Sequence, residues 1–466
     1  MSLLAAFHTT LNRGWQTVFP QERTRQRALE RTRQRALEHA LAVPCVLGRR
    51  TISRTVGALG RGEQDWSADY KLFSRASWEA GRLFAPVIDE YLERYPQGPV
   101  VAAIDDTKLP KTGKKIKHTG WGRDPLSPPF HANLTWGQRF VQASLLYRHY
   151  EEGEYPPRGF PARFDLAPPL KKPGKRASVP AQEEYQRLKK DTNLSTQALG
   201  VMRALRTGVD ERDGGQRRLL MVGDGSFCNR TVYKADLERT DLVTRCRKDA
   251  RLCFPAAPGS RRKYAAELFT PEQVLQDEDR PWQKAQVYLG GKPRFVNYKE
   301  VSGVLWRRGA GLRPLRLLTI APVPYLLSKN SATNYRQPAY YLSTDLTSPA
   351  EFLIQACFDR WQIEVNHRDE KDLLKVGQAQ VWSDKSIPRH PAFAVASYSL
   401  LMLAALQRFG PGRTDDFLPP PKWGKPKQRP SLLDMVSLLR HECNETLVSN
   451  LLPDGFSKNL LLWADT

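Results

Sequence analysis

A chain of 466 residues with 72 Lys and Arg against 49 Asp and Glu carries a formal charge of +23, and its 40% hydrophobic content supplies the cores of about three domains. Such a composition excludes a disordered chain, and so large a positive field gathers polyanions, which makes nucleic acid the first partner to expect. No run of 18 or more apolar residues, no secretory signal in MSLLAAFHTTLNRGWQ, and six cysteines (45, 228, 246, 253, 357, 443) without C-x2-C or matching His spacing predict a cytoplasmic protein with no membrane partner, structural zinc or disulfides.

Residues 1–96 read as a helical, basic DNA-binding region. The octapeptide RTRQRALE occurs twice, at 23–30 and 31–38, inside one basic helix. Eight residues fit neither a heptad nor a repeat architecture, so the copy is a local duplication. Its Arg-rich face suits phosphates, and equally a solvated surface. The stretches RRTISRTVGAL (49–59) and SADYKLFSRASWEAGRLFAPVIDEYLERY (67–95) give short helices joined by turns, compatible with a helix-turn-helix.

A first α/β segment spans 97–254. GPVVAAIDDT (98–107) is an apolar run ending in acids, which predicts a buried central strand with its carboxylates at the C-terminal end. FVQASLLYRHY (140–150) and RGFPARFDLAP (158–168) read as further strands. PPLKKPGKRASVP (168–180) is a basic loop suited to phosphates, 181–209 has helical periodicity, and RRLLMVGDGSF (217–227) is a strand running into Asp224. This order predicts an α/β fold, a mixed sheet with flanking helices. Short β-like runs separated by Gly and Pro mark 255–340 as a β-rich insertion subdomain. Helices return over 341–410, at 348–374 and 392–409. A Pro-rich linker (411–430) leads to a C-terminal helical region (431–466).

Asp106, Asp224 and Glu364 stand where strand ends and a helix could aim them together. Phosphodiester chemistry with two hard cations about 4 Å apart needs such a set of oxygen ligands. Acids also flank strands simply as turn formers. Arg360, Glu364 and Lys371, spaced by four and then seven, share one helix face. That spacing suits a carboxylate beside phosphate, and also an ordinary i,i+4 ion pair.

AIDDTKLPKTG, VGDGSFCNR and FDRWQIEVNHRDEKDLLKVG resemble, in order and spacing, the three active-site motifs of bacterial insertion-sequence DDE transposases of the cut-and-paste group with a β-rich insertion. The resemblance covers about 98–400 and continues through VTRCRKDARL, GSRRKYAAE and YYLSTDLTSPAEF. It implies an RNase H-like core in which Asp106, Asp224 and Glu364 bind two Mg²⁺ ions, with Mn²⁺ as a substitute. The acid directly before Thr is the family's ligand, which selects Asp106; Asp105 is the alternative, since strand alternation sends only one of the two into the site. Arg360 and Lys371 match the family's phosphate-binding positions, with Arg368 and Lys108 as further candidates. The family's Tyr is here Cys357, which can neither stack nor donate strongly, so the resemblance leaves open whether the second strand is cut through a hairpin or by another route. Tyr340 and Tyr341 offer a stacking surface or serve as core aromatics. The implied partners are double-stranded DNA, as transposon ends and target, and a second copy in a homodimer. Two other readings remain: a catalytically retired DNA-binding regulator or targeting protein, and a stand-alone RNase H-like nuclease or junction resolvase.

Overall fold

The structure, a computed structural model, describes residues 2–18, 26–123, 131, 133–327, 331–420, 422 and 427–444. Helix α1 (Leu3–Val18) buries Leu3, Leu4, Phe7, Leu11, Trp15 and Val18, a stripe at three- and four-residue spacing, against the core. α2 (Gln26–Cys45) carries the second octapeptide; Arg23, Thr24 and Arg25 of the first lie outside the described residues. The cationic face of α2 is partly committed within the protein. Arg33 donates to Asn12 Oδ1 at 3.0 Å, while Arg35 (3.2 Å), His39 (2.8 Å) and Arg61 (2.9 Å) converge on the buried Asp69. α3 (Ile52–Ala58) and α4 (Ser67–Ser74) are short and pack on α2, and α5 (Ala85–Arg94) leads to the sheet.

The fold is α/β, an open mixed sheet with helices. β1 (Val100–Pro110) runs antiparallel to β3 (Leu134–Tyr147), whose far edge takes β2 (Gly120–Arg123) and β4 (Arg158–Leu166). The helical stretch near 181–209 is two helices, α6 (Val179–Asp191) and α7 (Leu194–Asp213). Asn193 interrupts them, its side chain accepting from Thr196 N at 3.1 Å to cap α7. β5 (Leu219–Gly223) then runs parallel to β1, and after α8 (Arg230–Tyr233), β6 (Thr240–Arg245) runs parallel to β5.

The stretch 255–340 is largely β and joins the same sheet. After α9 (Pro271–Gln276) come β7 (Gln283–Tyr288), β8 (Pro293–Leu305) and β9 (Pro314–Ile320). A separate hairpin, β10 (Pro324–Leu326) with β11 (Thr333–Tyr335), precedes β12 (Ala339–Ser343). Because β12 pairs antiparallel with both β6 and β9, the sheet continues as β6-β12-β9-β8-β7.

Helices α10 (Ala350–Asp359) and α11 (Trp361–Arg368) are followed by a π turn, Asp369–Leu373, and by α12 (Ser386–Phe409). Alternation along β1 divides the core. Val101 and Ala103 pack with Leu353, Ile354, Cys357 and Ile363 of α10 and α11, whereas Val100, Ala102 and Ile104 join the larger core with α12. By length and mean hydropathy α12 could cross a membrane, although Pro391, Ser397 and Ser399 interrupt its apolar run and keep it from reading as a span in the sequence. Most of this helix is buried inside the fold. α13 (Leu432–Asn444) packs on α1, α2 and α12, and its Glu442 accepts from Leu3 N (2.9 Å) and Leu4 N (2.6 Å) at the α1 terminus. This C-terminal helix thus lies on its own core; 445–466 fall outside the described residues.

Candidate active site

The site begins where two parallel strands part. β1 and β5 pair as far as Ile104↔Gly223, after which β5 turns away. Asp224 caps that turn, its Oδ1 accepting from Ser226 N at 2.9 Å and its Oδ2 from Ser226 Oγ at 3.1 Å. β1 instead runs on to Pro110, held by β3 alone, with Asp105 opposite Gln142 and Asp106 opposite Val141. The two β1 acids therefore lie mid-strand, not at the strand end expected from the sequence. What exposes them is the departure of the neighbouring strand, which opens a notch beside Asp224 at the carboxyl end of the parallel pair.

Above this notch stand Arg360, at the junction of α10 and α11, and Glu364 of α11. The guanidinium lies between two acids, with Nη2 2.7 Å from Glu364 Oε1 and Nη1 3.5 Å from Asp105 Oδ2. Burial opposes its charge, and Asp105 and Glu364 together overcome that cost and raise the Arg360 pKa. Asp105 continues the alternation of Val101 and Ala103 and so shares the face covered by α11. Burial and the charge of Asp224 push its carboxyl up to about 7, against the pull of Arg360. Asp106 follows Ala102 and Ile104 toward the other face. Its Oδ2 lies 3.3 Å from Arg139 Nε, and burial raises its pKa, with Arg139 and Lys371 opposing and Asp224 adding. The structure thus gathers Asp105, Asp224, Arg360 and Glu364 and leaves Asp106 behind them, within electrostatic reach of Asp224 and Lys371.

The other predicted residues are distributed differently. Lys108 lies across from Arg139 and donates to the Thr135 carbonyl. Arg368 is largely exposed and pairs with Asp369 at 3.3 Å. Tyr340 is a core aromatic, 6% exposed, with its hydroxyl bonded to Glu272 on α9. It is not a stacking surface. Tyr341, one residue on, belongs to the face with Cys357 and feels the charge of Arg360. Cys357 is buried, and burial pushes its thiol up. Two participants were missed in the sequence: Arg139, identified only by strand register, and His367. The latter is buried between Arg360 and Lys371, and burial with those two charges lowers its pKa to about 3.

The donor types here are the hard oxygens that Mg²⁺ or Mn²⁺ takes, and the two carboxyls of Asp105 and Asp106, raised by burial and by the charge of Asp224, create a demand for positive charge. Arg360 meets part of it. Among the described residues, no three His, Cys, Asp or Glu side chains stand close enough together to hold a metal ion. No protein-family model matches this chain, and no curated protein matches it.

Proposed function

We propose that this chain is a DDE-type DNA transposase: a nuclease and strand transferase with an RNase H-like core that binds transposon ends, cleaves them and joins the freed 3′-OH to target DNA. The observation that carries the reading is the convergence of Asp105, Asp224 and Glu364 on Arg360 at the notch between β1 and β5. The strand order supports it as well, with antiparallel strands on one side of β1 and parallel strands on the other. Asp224, Glu364 and one or both of Asp105 and Asp106 would hold Mg²⁺, which requires these carboxylates to draw closer together than they stand around Arg360. Bound there, the metal supplies Lewis acidity toward the attacking and leaving oxygens of the phosphodiester. Arg360 and Lys371 hold phosphate oxygens, the first through its guanidinium fork and the second as a point charge. The net charge of +23 draws the DNA in, and a homodimer brings two ends together in the cytoplasm.

The test is purified protein with Mg²⁺ and DNA bearing the inverted repeats that flank its own gene. End-specific cleavage is expected, and it is lost in Asp224→Ala and in Glu364→Ala while end binding remains. Cleavage persisting in Asp224→Ala refutes the assignment. One observation favours a second reading, a retired DNA-binding regulator: Arg360 already bridges Asp105 and Glu364 as an internal ion pair. Binding of the ends without any cleavage by the unaltered protein selects that reading.

A further inference from the structure

A cleft of about 980 Å³ separates the N-terminal helices from the loop that follows α11. One wall is Arg49, Thr51 and Ser53 at the start of α3, with Tyr70 and Ser74 of α4. The other comprises the end of β1 and residues 377–383, and Lys371 stands at the side toward the acidic notch. Four cations, Arg49, Lys111, Lys371 and Lys375, line the cleft, and no Asp or Glu is among its lining residues.

The second wall is fixed within itself and tied to the first. Lys111, 6% exposed, donates at 2.8 Å to the carbonyls of both Gly377 and Ala379, and Arg50 N donates to Gln378 Oε1 at 3.1 Å. Lys375 adopts φ +50°, a left-handed conformation that a residue with a Cβ avoids unless its surroundings impose it. On this tethered loop Trp382 is 63% exposed, and across from it Tyr70 is 38% exposed and meets Trp66 edge-on at 5.1 Å. An indole left in water costs hydrophobic free energy, and beside a row of cations in a cleft lined by no acid, unpaired bases on a phosphate backbone would recover it.

We propose that this cleft is a track for a single strand of DNA, with Trp382 as a stacking platform for an unpaired base and Arg49, Lys371 and Lys375 as its phosphate contacts. Exposed ring faces select single strands because duplex bases are already stacked on one another. The track leads along Lys371 toward Asp106 and Asp224, so it would hold a strand separated next to the reacting phosphodiester. The choice of DNA rests on the function proposed above; the single-strand geometry rests on the cleft.

The experiment uses the full chain in EDTA, so that no cleavage is involved. A labelled oligo-dT containing one 2-aminopurine and a duplex of equal length are titrated by anisotropy, and quenching of the 2-aminopurine reports stacking. Trp382→Ala should weaken single-strand binding about tenfold and abolish the quench, leave duplex binding unchanged, and be rescued by Trp382→Phe. Lys375→Ala and Arg49→Ala should each lower the slope of log K against log salt by about 0.7. Single-strand affinity and quench unchanged in Trp382→Ala overturn the track, as does displacement of the oligonucleotide by poly-glutamate at equal charge. Since Trp382 is exposed, loss of fold does not confuse the result. Failure here with end cleavage intact removes only the track, and binding here without cleavage leaves the track and removes the transposase reading.

Discussion

On its outer side α11 presents its N-cap Arg360 and Glu364, both partly buried, to acids that Arg360 only partly neutralises. Beneath the same helix a chain of buried hydrogen bonds runs through Asn366. Asn366 Nδ2 donates to the Gly159 carbonyl (2.9 Å) and to the Tyr398 hydroxyl (3.0 Å), and its Oδ1 accepts from Ser144 Oγ (3.0 Å). Ser144 in turn accepts from Gln142 Nε2 at 3.0 Å, and Gln142 lies directly across from Asp105. The first cluster keeps charge that a ligand can use. The second satisfies the Asn366 amide and holds the helix, so that Glu364 is positioned before any ligand arrives.

If that division is right, stability and activity separate by face. Glu364→Gln should lower Mg²⁺-dependent cleavage about a thousandfold, roughly 4 kcal/mol of barrier, while urea midpoints stay near those of the unaltered protein. A large loss of stability in Glu364→Gln would show that the outer cluster is structural after all. Asn366→Ala does the reverse. It strands buried partners on three elements, and should cost about 2–4 kcal/mol in urea unfolding, with activity falling as a consequence of displaced Glu364. Gly159→Ala probes the same contact more gently. A Cβ there would stand 2.8 Å from Asn366 Oδ1 and 3.1 Å from Gln362 Cβ, so α11 must shift, for about 1–3 kcal/mol. Unchanged stability in Gly159→Ala would mean that the helix is not seated on β4 as closely as it stands here.

Much of this was legible locally. The apolar runs before Asp105 and Asp224 and the spacing of Arg360 and Glu364 read directly as strands and helix, because they depend on period and composition. The break between α6 and α7 was also written locally, in the Asn193 cap, and was passed over for the longer periodicity. Choices that depend on distant partners were not readable. Alternation says that one of Asp105 and Asp106, and one of Tyr340 and Tyr341, faces α10 and α11. Only the packed helices show that it is Asp105 and Tyr341. Likewise 255–340 announces β structure, while its union with the main sheet depends on β12 reaching β6.

The finest test of the buried side concerns Glu370, in the π turn beside Lys371. It is fully buried, neither carboxyl oxygen has a hydrogen-bond partner among the described residues, and Gln142 is its near polar neighbour. Burial pushes its carboxyl up to about 8, against Gln142 and Lys371 and helped by Asp369. The native state thus keeps this proton over a range in which the unfolded chain has released it. The contribution is fully present below the unfolded value near 4.5 and drains away as pH rises toward about 8. Glu370→Gln keeps the shape and removes the titration. At pH 5 it should change stability by no more than about 1 kcal/mol, and between pH 5 and 8 its urea midpoint should decline less than that of the unaltered protein. Parallel pH profiles for the two proteins would mean that Glu370 is ionised in the fold, and that the layer under α11 is charged like the one above it.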